Sequence, residues 1–272
     1  GPQPAFETLQ LGLDRIDSPG PAALVTAGWQ EDESADESVL QSLPPDSVNL
    51  ELFRRSEELF ENDSELIQLL KQRQDDLRAL RDAYRMRLDC SLEAARNMVE
   101  VQARESFDFR PESESAIEQL RQLDRQYLVR TTQVMDAYDQ TLAIAKRPEI
   151  QKHRQQLRKI LDRSGCLVIA GGHVAIILNR LRLFGILELN PDLPIVAWSA
   201  GTMALADQIV LFHDHPPHGK GNPEVLRAGM GLFHEILPLP DAEQRLDLDD
   251  QLRVILLSRR FIPYGCVCLN PH

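Results

Sequence analysis

Between residues 50 and 163 the chain runs almost without helix breakers, and its apolar residues recur at helical intervals. Leu59, Leu66, Leu70, Leu77, Leu80, Tyr84, Leu88 and Leu92 fall seven, four, seven, three, four, four and four residues apart. That spacing marks one face of a long amphipathic helix. A break at "DFRPES" precedes a second stretch carried by Ile117, Leu120, Leu123, Tyr127, Val134, Tyr138 and Leu142. Pro148 then ends the run before a third, shorter helix at roughly 149–163. Two long helices joined by a turn predict an antiparallel pair. Their interspersed charges suit a solvated outer face, with a cover over a site or a homodimer contact as further roles.

The flanks have a different texture. Residues 3–50 hold the short apolar runs "FETLQLG" and "PAALVTAG", Pro and Gly punctuation, and the acidic "EDESADES", which read as strands and loops. From Cys166 the pattern alternates: "CLVIA" as a strand, "GGHVAIILNRLRLFGI" as a helix opened by two glycines, "PIVAW" as a strand, "SAGTMALAD" as a helix, "QIVLF" as a strand. After a loop rich in Pro and Gly come "HEILPLP", the helix-like "LDDQLRVILLSRRF" and "GCVCLN". Such alternation predicts an α/β fold with a doubly wound, mainly parallel sheet. The expected organisation is a first part of the α/β domain at 3–50, an α-helical insertion at 51–163, and the second part at 164–272. Ligands in such sheets bind outside the carboxyl ends of the strands, where "AGG" and "WSAG" both fall.

Composition bounds the partners. A net charge of −12 over 272 residues argues against nucleic acid, whose phosphates need Lys and Arg. No apolar run reaches membrane-spanning length, so no membrane partner is expected. Cys90, Cys166, Cys266 and Cys268 lack metal-ligand spacing, and Cys266 and Cys268 read as small buried hydrophobes on one side of a strand. With no basic segment leading into an apolar core at the N-terminus, a reducing, cytoplasmic setting is expected.

The chemistry gathers at Ala197-Trp198-Ser199-Ala200-Gly201. A serine on a sharp strand-to-helix turn stands exposed above the sheet, which is the mechanics of the nucleophile elbow G-x-S-x-G, here with alanine for the first glycine. A tight structural turn is the other reading of the same residues. The amide of Ala200 opens the following helix and is a natural oxyanion donor. Gly171-Gly172 ends the neighbouring strand and permits close backbone approach. The loop "FHDHPPHGKGNP" gathers His213, Asp214, His215 and His218, the ligand types of a Zn²⁺ or Ni²⁺ site. Its prolines and glycines leave that geometry unconstrained, so a solvated loop is expected, with no metal and no cofactor.

"AGGHVAIILNRL", "AWSAGTMAL", "RAGMGLF" and the early "ALVTAGWQ" resemble the peptidase E and cyanophycinase family, and more narrowly its bacterial members with a long helical insertion. These are serine hydrolases on a class I glutamine amidotransferase-like fold. The resemblance implies Ser199 as nucleophile, Gly172 and Ala200 as oxyanion donors, and Asp214 as the acidic member. It places Gly171 and His173 beside the substrate, and Arg245 at a basic position suited to an acidic or β-aspartyl carboxylate. The family's histidine position falls on Asp241 in "LPLPDAEQRL".

That departure divides the functional expectation. An aspartate titrating near ~4 is a weak base beside imidazole, and losing the histidine of such a unit costs on the order of 10⁶ in turnover. The first expectation is a peptidase E-like serine hydrolase acting on a small peptide or amide-like ligand, impaired by Asp241 unless His173, His213 or His234 supplies the base. The second is a non-catalytic ligand- or protein-binding member of the same fold, a pseudoenzyme. Glutaminase chemistry is not expected, since its elbow carries cysteine.

Overall fold

The computed structural model describes residues 6–16, 20–213 and 221–269. Its elements in chain order are α1 (Phe6–Ile16), β1 (Ala22–Val25), α2 (Glu37–Leu40), β2 (Val48–Asn49), α3 (Leu52–Asn62), α4 (Ser64–Arg104), α5 (Arg110–Leu142) and α6 (Pro148–Leu161). There follow β3 (Cys166–Ile169), α7 (Val174–Phe184), α8 (Ile186–Leu189), β4 (Ile195–Ala197), α9 (Ala200–Leu205) and β5 (Gln208–Leu211). The last are β6 (Glu224–Ala228), β7 (Ile236–Pro240), α10 (Ala242–Arg245), α11 (Gln251–Arg260) and β8 (Gly265–Leu269). This is a mixed α/β fold whose strands are mostly parallel and which carries long helical segments. No helix among the described residues is long and apolar enough to cross a membrane.

The described residues divide into two compact units: those up to Leu69 with Asp139–Leu205, and Leu70–Tyr138 with those from Ala206 to Leu269. The first unit is built on a four-stranded parallel sheet in the order β2-β1-β3-β4. Its central strands, AALV and CLVI, are buried along their whole length, as expected of parallel strands covered on both faces. Ala22 pairs with Cys166 and Val25 with Ile169. The order reverses direction between β1 and β3, which makes their carboxyl ends a topological switch point.

The "FETLQLG" stretch is a helix, not a strand as its short apolar run suggests. Leu9, Leu13 and Ile16 lie on one face of α1 and pack against Leu24, Val168 and Val196. A 3.6-residue period therefore wins over the local β-like composition. Gly12, which reads as punctuation, sits where a Cβ would come within 3.1 Å of Val196. Two polar fixtures hold the rest of this unit. Glu33, 4% exposed, accepts the backbone N–H groups of Phe53 (2.9 Å) and Arg54 (2.8 Å) and so caps α3. Arg147, just before α6, donates to Asp63 at 2.6 Å and to Glu65 at 3.2 Å.

In the second unit α4 and α5 run antiparallel, as the spacing predicts. Tyr138 donates to Asp76 (2.7 Å), Tyr84 stacks on Tyr127 (4.1 Å between centroids), and Arg87 donates to Gln126 (3.2 Å). A buried network follows from that stack. Arg260 reaches both carboxylate oxygens of Asp124 at 2.7 Å. Asp124 also accepts from the Tyr84 hydroxyl at 2.7 Å, and that hydroxyl accepts the N–H of Val225 at 3.2 Å. Burial pushes the Tyr84 phenol well above its ordinary range. Glu224 takes Arg85 in a two-pronged bond (2.6 and 2.8 Å) and pairs with Arg81.

The remaining strands pair as β5–β6, antiparallel, and β7–β8, parallel. Among the described residues β8 pairs only with β7. Cys268 is exposed and Cys266 half-buried, so the expected burial of this pair is corrected. An outer strand lacks a neighbour to bury its side chains.

Candidate functional site

The carboxyl ends of β1, β3 and β4 meet in the first unit. Beyond β3 the chain turns through Gly171 and Gly172, and the N–H of His173 donates to the carbonyl of Gly28, just past β1, at 2.8 Å. Gly172 has φ +118°, and a Cβ there would overlap the Gly28 carbonyl oxygen. Only glycine fits. A Cβ on Gly171 would fall 2.9 Å from Ser199 Cβ and 3.2 Å from its Oγ, so this junction is closed by the serine itself.

Ser199 stands between β4 and α9 in the left-handed region, φ +50°. The Trp198 N–H still donates to Ile169 at 3.2 Å, continuing the ladder, while the Met203 N–H already donates to the Ser199 carbonyl at 3.3 Å, so the turn is confined to one residue. Among the described residues of its own unit, the half-buried Ser199 hydroxyl has no hydrogen-bond partner. Ala200, 6% exposed, opens α9.

Left-handed backbone follows every strand of this sheet at the same end: Gln30 (φ 60°) after β1, Glu51 (φ 51°) after β2, Gly172 after β3 and Ser199 after β4. Three of these are not glycine, and each costs roughly 1–3 kcal/mol of strain, which persists where surrounding structure overdetermines it. Sequence reasoning found Gly172 and Ser199 but missed Gln30 and Glu51. It also missed the polar knot beside them, in which the Asn49 amide donates to Thr26 Oγ1 (2.6 Å) and to Asp36 (2.8 Å). The only local signal was "TAGWQ" directly after an apolar strand.

Among the described residues of the first unit, neither His153 nor His173 presents a free base. His173 uses Nδ1 to accept the Ile176 N–H at 3.4 Å, capping α7. His153 is buried, 3.2 Å from Arg55 and edge-on to Phe184, and burial lowers its pKa.

Asp241 and Arg245 belong to the second unit. Asp241 follows β7 with φ +54°, donates its N–H to Leu269 at 2.9 Å, and has its carboxylate 3.8 Å from Arg245. Arg245 also lies over the Phe212 ring at 5.9 Å. The basic residue expected to meet a substrate carboxylate thus already has one beside it. His234 sits at the other end of β7, its Nδ1 2.9 Å from Asp207. A five-residue strand, about 17 Å long, separates it from Asp241, so His234 does not stand in for the residue at 241. His213 stacks on Phe212 at 6.4 Å, while Asp214, His215 and His218 lie outside the described residues. Among the described residues no cluster of three His, Cys, Asp or Glu side chains is placed to hold a metal.

The structure therefore brings Gly171, Gly172, His173, Ser199 and Ala200 together in one unit, and Asp241 with Arg245 in the other. No family model, curated protein or solved structure matches the chain.

Proposed function

We propose that the chain is a peptidase E-like serine hydrolase scaffold on a class I glutamine amidotransferase-like fold, with Ser199 at the nucleophile position and turnover impaired by Asp241. The observation that carries this reading is the left-handed backbone of Ser199 at a one-residue turn from strand to helix, packed on Gly171. The ligand is a small peptide or amide. Ser199 Oγ attacks the acyl carbon, and the N–H groups of Gly172 and Ala200 take the oxygen as it gains charge. The hydroxyl proton needs a base, and a carboxylate at 241 accepts it far less readily than imidazole.

A second reading, binding without bond cleavage, is favoured by one observation. His173, the histidine nearest in sequence to the proposed oxyanion glycines, has its ring engaged in capping α7. The deciding experiment is labelling with a fluorophosphonate probe. The impaired-hydrolase reading expects slow labelling of the chain, faster labelling of Asp241→His, and none of Asp241→His/Ser199→Ala. No labelling of any of the three leaves the binding reading.

A further inference from the structure

On the second unit, α4 and α5 leave a groove of about 690 Å³ between them. Leu80, Leu123, Tyr127 and Val129 line it, and among the described residues that line it Arg87, Arg125 and Arg130 are the only charged ones. In a chain of net charge −12, a groove with three arginines and no carboxylate among its lining residues selects an acidic occupant. Val129 is 55% exposed there, an apolar side chain without cover.

Four charged residues of the exposed stripe of α5 bear on the groove, within a helix that also carries Arg110 at its start and Asp136 beyond Arg130. Glu112 and Glu118 lie towards its start, and Arg125 and Arg130 further along. At 100° per residue, Glu118 and Arg125 lie on one flank of the stripe, and Glu112 and Arg130 on the other. The midpoints of the two acid–base pairs nearly coincide, one at Arg121 and the other between Arg121 and Gln122. A two-fold axis at that level sets two copies of α5 antiparallel, with Glu112 opposite Arg130 of the other copy and Glu118 opposite Arg125. The flanks agree as well, because antiparallel helices match like side to like side. Each contact then occurs twice, as an isologous interface requires.

We propose that this groove is the docking surface for a second copy of the chain. Two α4–α5 hairpins meet there as a four-helix bundle, in register through these four ion pairs. Glu118 already pairs within its own helix with Arg121 (3.2 Å) and Arg125 (2.5 Å), whereas the hydrogen bond of Arg130 goes to the neutral Gln133 (2.9 Å). The Glu112–Arg130 pair is therefore the one with most to gain from the partner. With a polar stripe at its centre, the dimer is weak and salt-sensitive.

Sedimentation equilibrium of the full chain tests this. The expected result is a reversible dimer at about 100 µM chain and low salt, a mass-action range readily populated by a weak interface. Arg130→Glu lowers the association constant roughly tenfold, a loss of 1.4 kcal/mol. The charge swap Glu112→Arg/Arg130→Glu restores association, which a merely misfolded variant would not. A monomer at every concentration overturns the proposal. So does a dimer indifferent to Arg130→Glu, or a swap that fails to recover association.

Discussion

Gly171 and Ser199 occupy a single contact: a methyl on the glycine would lie 2.9 Å from Ser199 Cβ, closer than real side chains approach. The turn that carries Gly171 just past β3 thus fixes where the serine can stand. Gly171→Ala is expected to displace the Ser199 turn and cost about 1–3 kcal/mol by overpacking. Urea denaturation measures the cost. On the Asp241→His background, the same change should abolish fluorophosphonate labelling.

The left-handed backbone of Ser199 gives an opposite sign for its own replacement. Glycine takes φ +50° without strain and alanine does not, so Ser199→Gly should exceed Ser199→Ala in stability by about 1 kcal/mol. Equal urea midpoints for the two variants would remove strain from the description of this turn.

Arg260 and Asp124 are a buried pair, their side chains 1% and 8% exposed. Arg260→Met leaves the Asp124 carboxylate without its counter-charge and should destabilise by about 3–5 kcal/mol. Asp124→Leu/Arg260→Met should recover much of that, since the uncompensated charge is gone. A double mutant as unstable as the single one would place the cost in packing instead.

Glu224 predicts a pH dependence. Burial raises its pKa, but the bonds from Arg85 and Arg81 outweigh burial and hold it below its ordinary 4.5. Folded Glu224 binds its proton less readily than the unfolded chain does. Its contribution is therefore complete above about pH 4.5 and is lost as pH falls through the lower, folded value. Urea midpoints of the chain should fall more steeply below that point than those of Glu224→Gln.

The thiols separate by exposure. Cys90 and Cys268 are exposed, while burial both covers Cys166 and raises its pKa. Ellman's reagent should modify Cys90 and Cys268 in the native protein and reach Cys166 only after denaturation.

Much of this architecture was legible because it rests on patterns that survive averaging. The leucine spacing gave α4 from Leu66 onward, while Leu59, read as part of the same helix, belongs to α3 across a break at Asp63. The unbroken apolar runs AALV and CLVI gave the central strands, since strands buried on both faces have no alternation to hide. α1 was misread because its first turns mix β-like apolar residues with a glycine, and only contact with Val196 explains that glycine. The turn at Ser199 was legible from small neighbours at a strand end. Gln30 and Glu51 were not, because a left-handed residue that is not glycine leaves no compositional trace. The Asp241–Arg245 contact was hidden for another reason. Both residues were assigned outward roles, and a short helix turned them towards each other.

Arg147 donates to Asp63 at 2.6 Å, and these two residues stand at the outgoing and returning ends of the α4–α5 excursion. For the chain as a polymer, this clasp makes the excursion a closed loop. β1 and β3, neighbours in the sheet, are separated in sequence by everything the loop contains. Closing so long a loop costs entropy that grows only as the logarithm of its length. If the helices form and the clasp shuts first, β1 meets β3 at short effective range. With the clasp in place, the loop between β1 and β3 is effectively shorter than the chain that separates them.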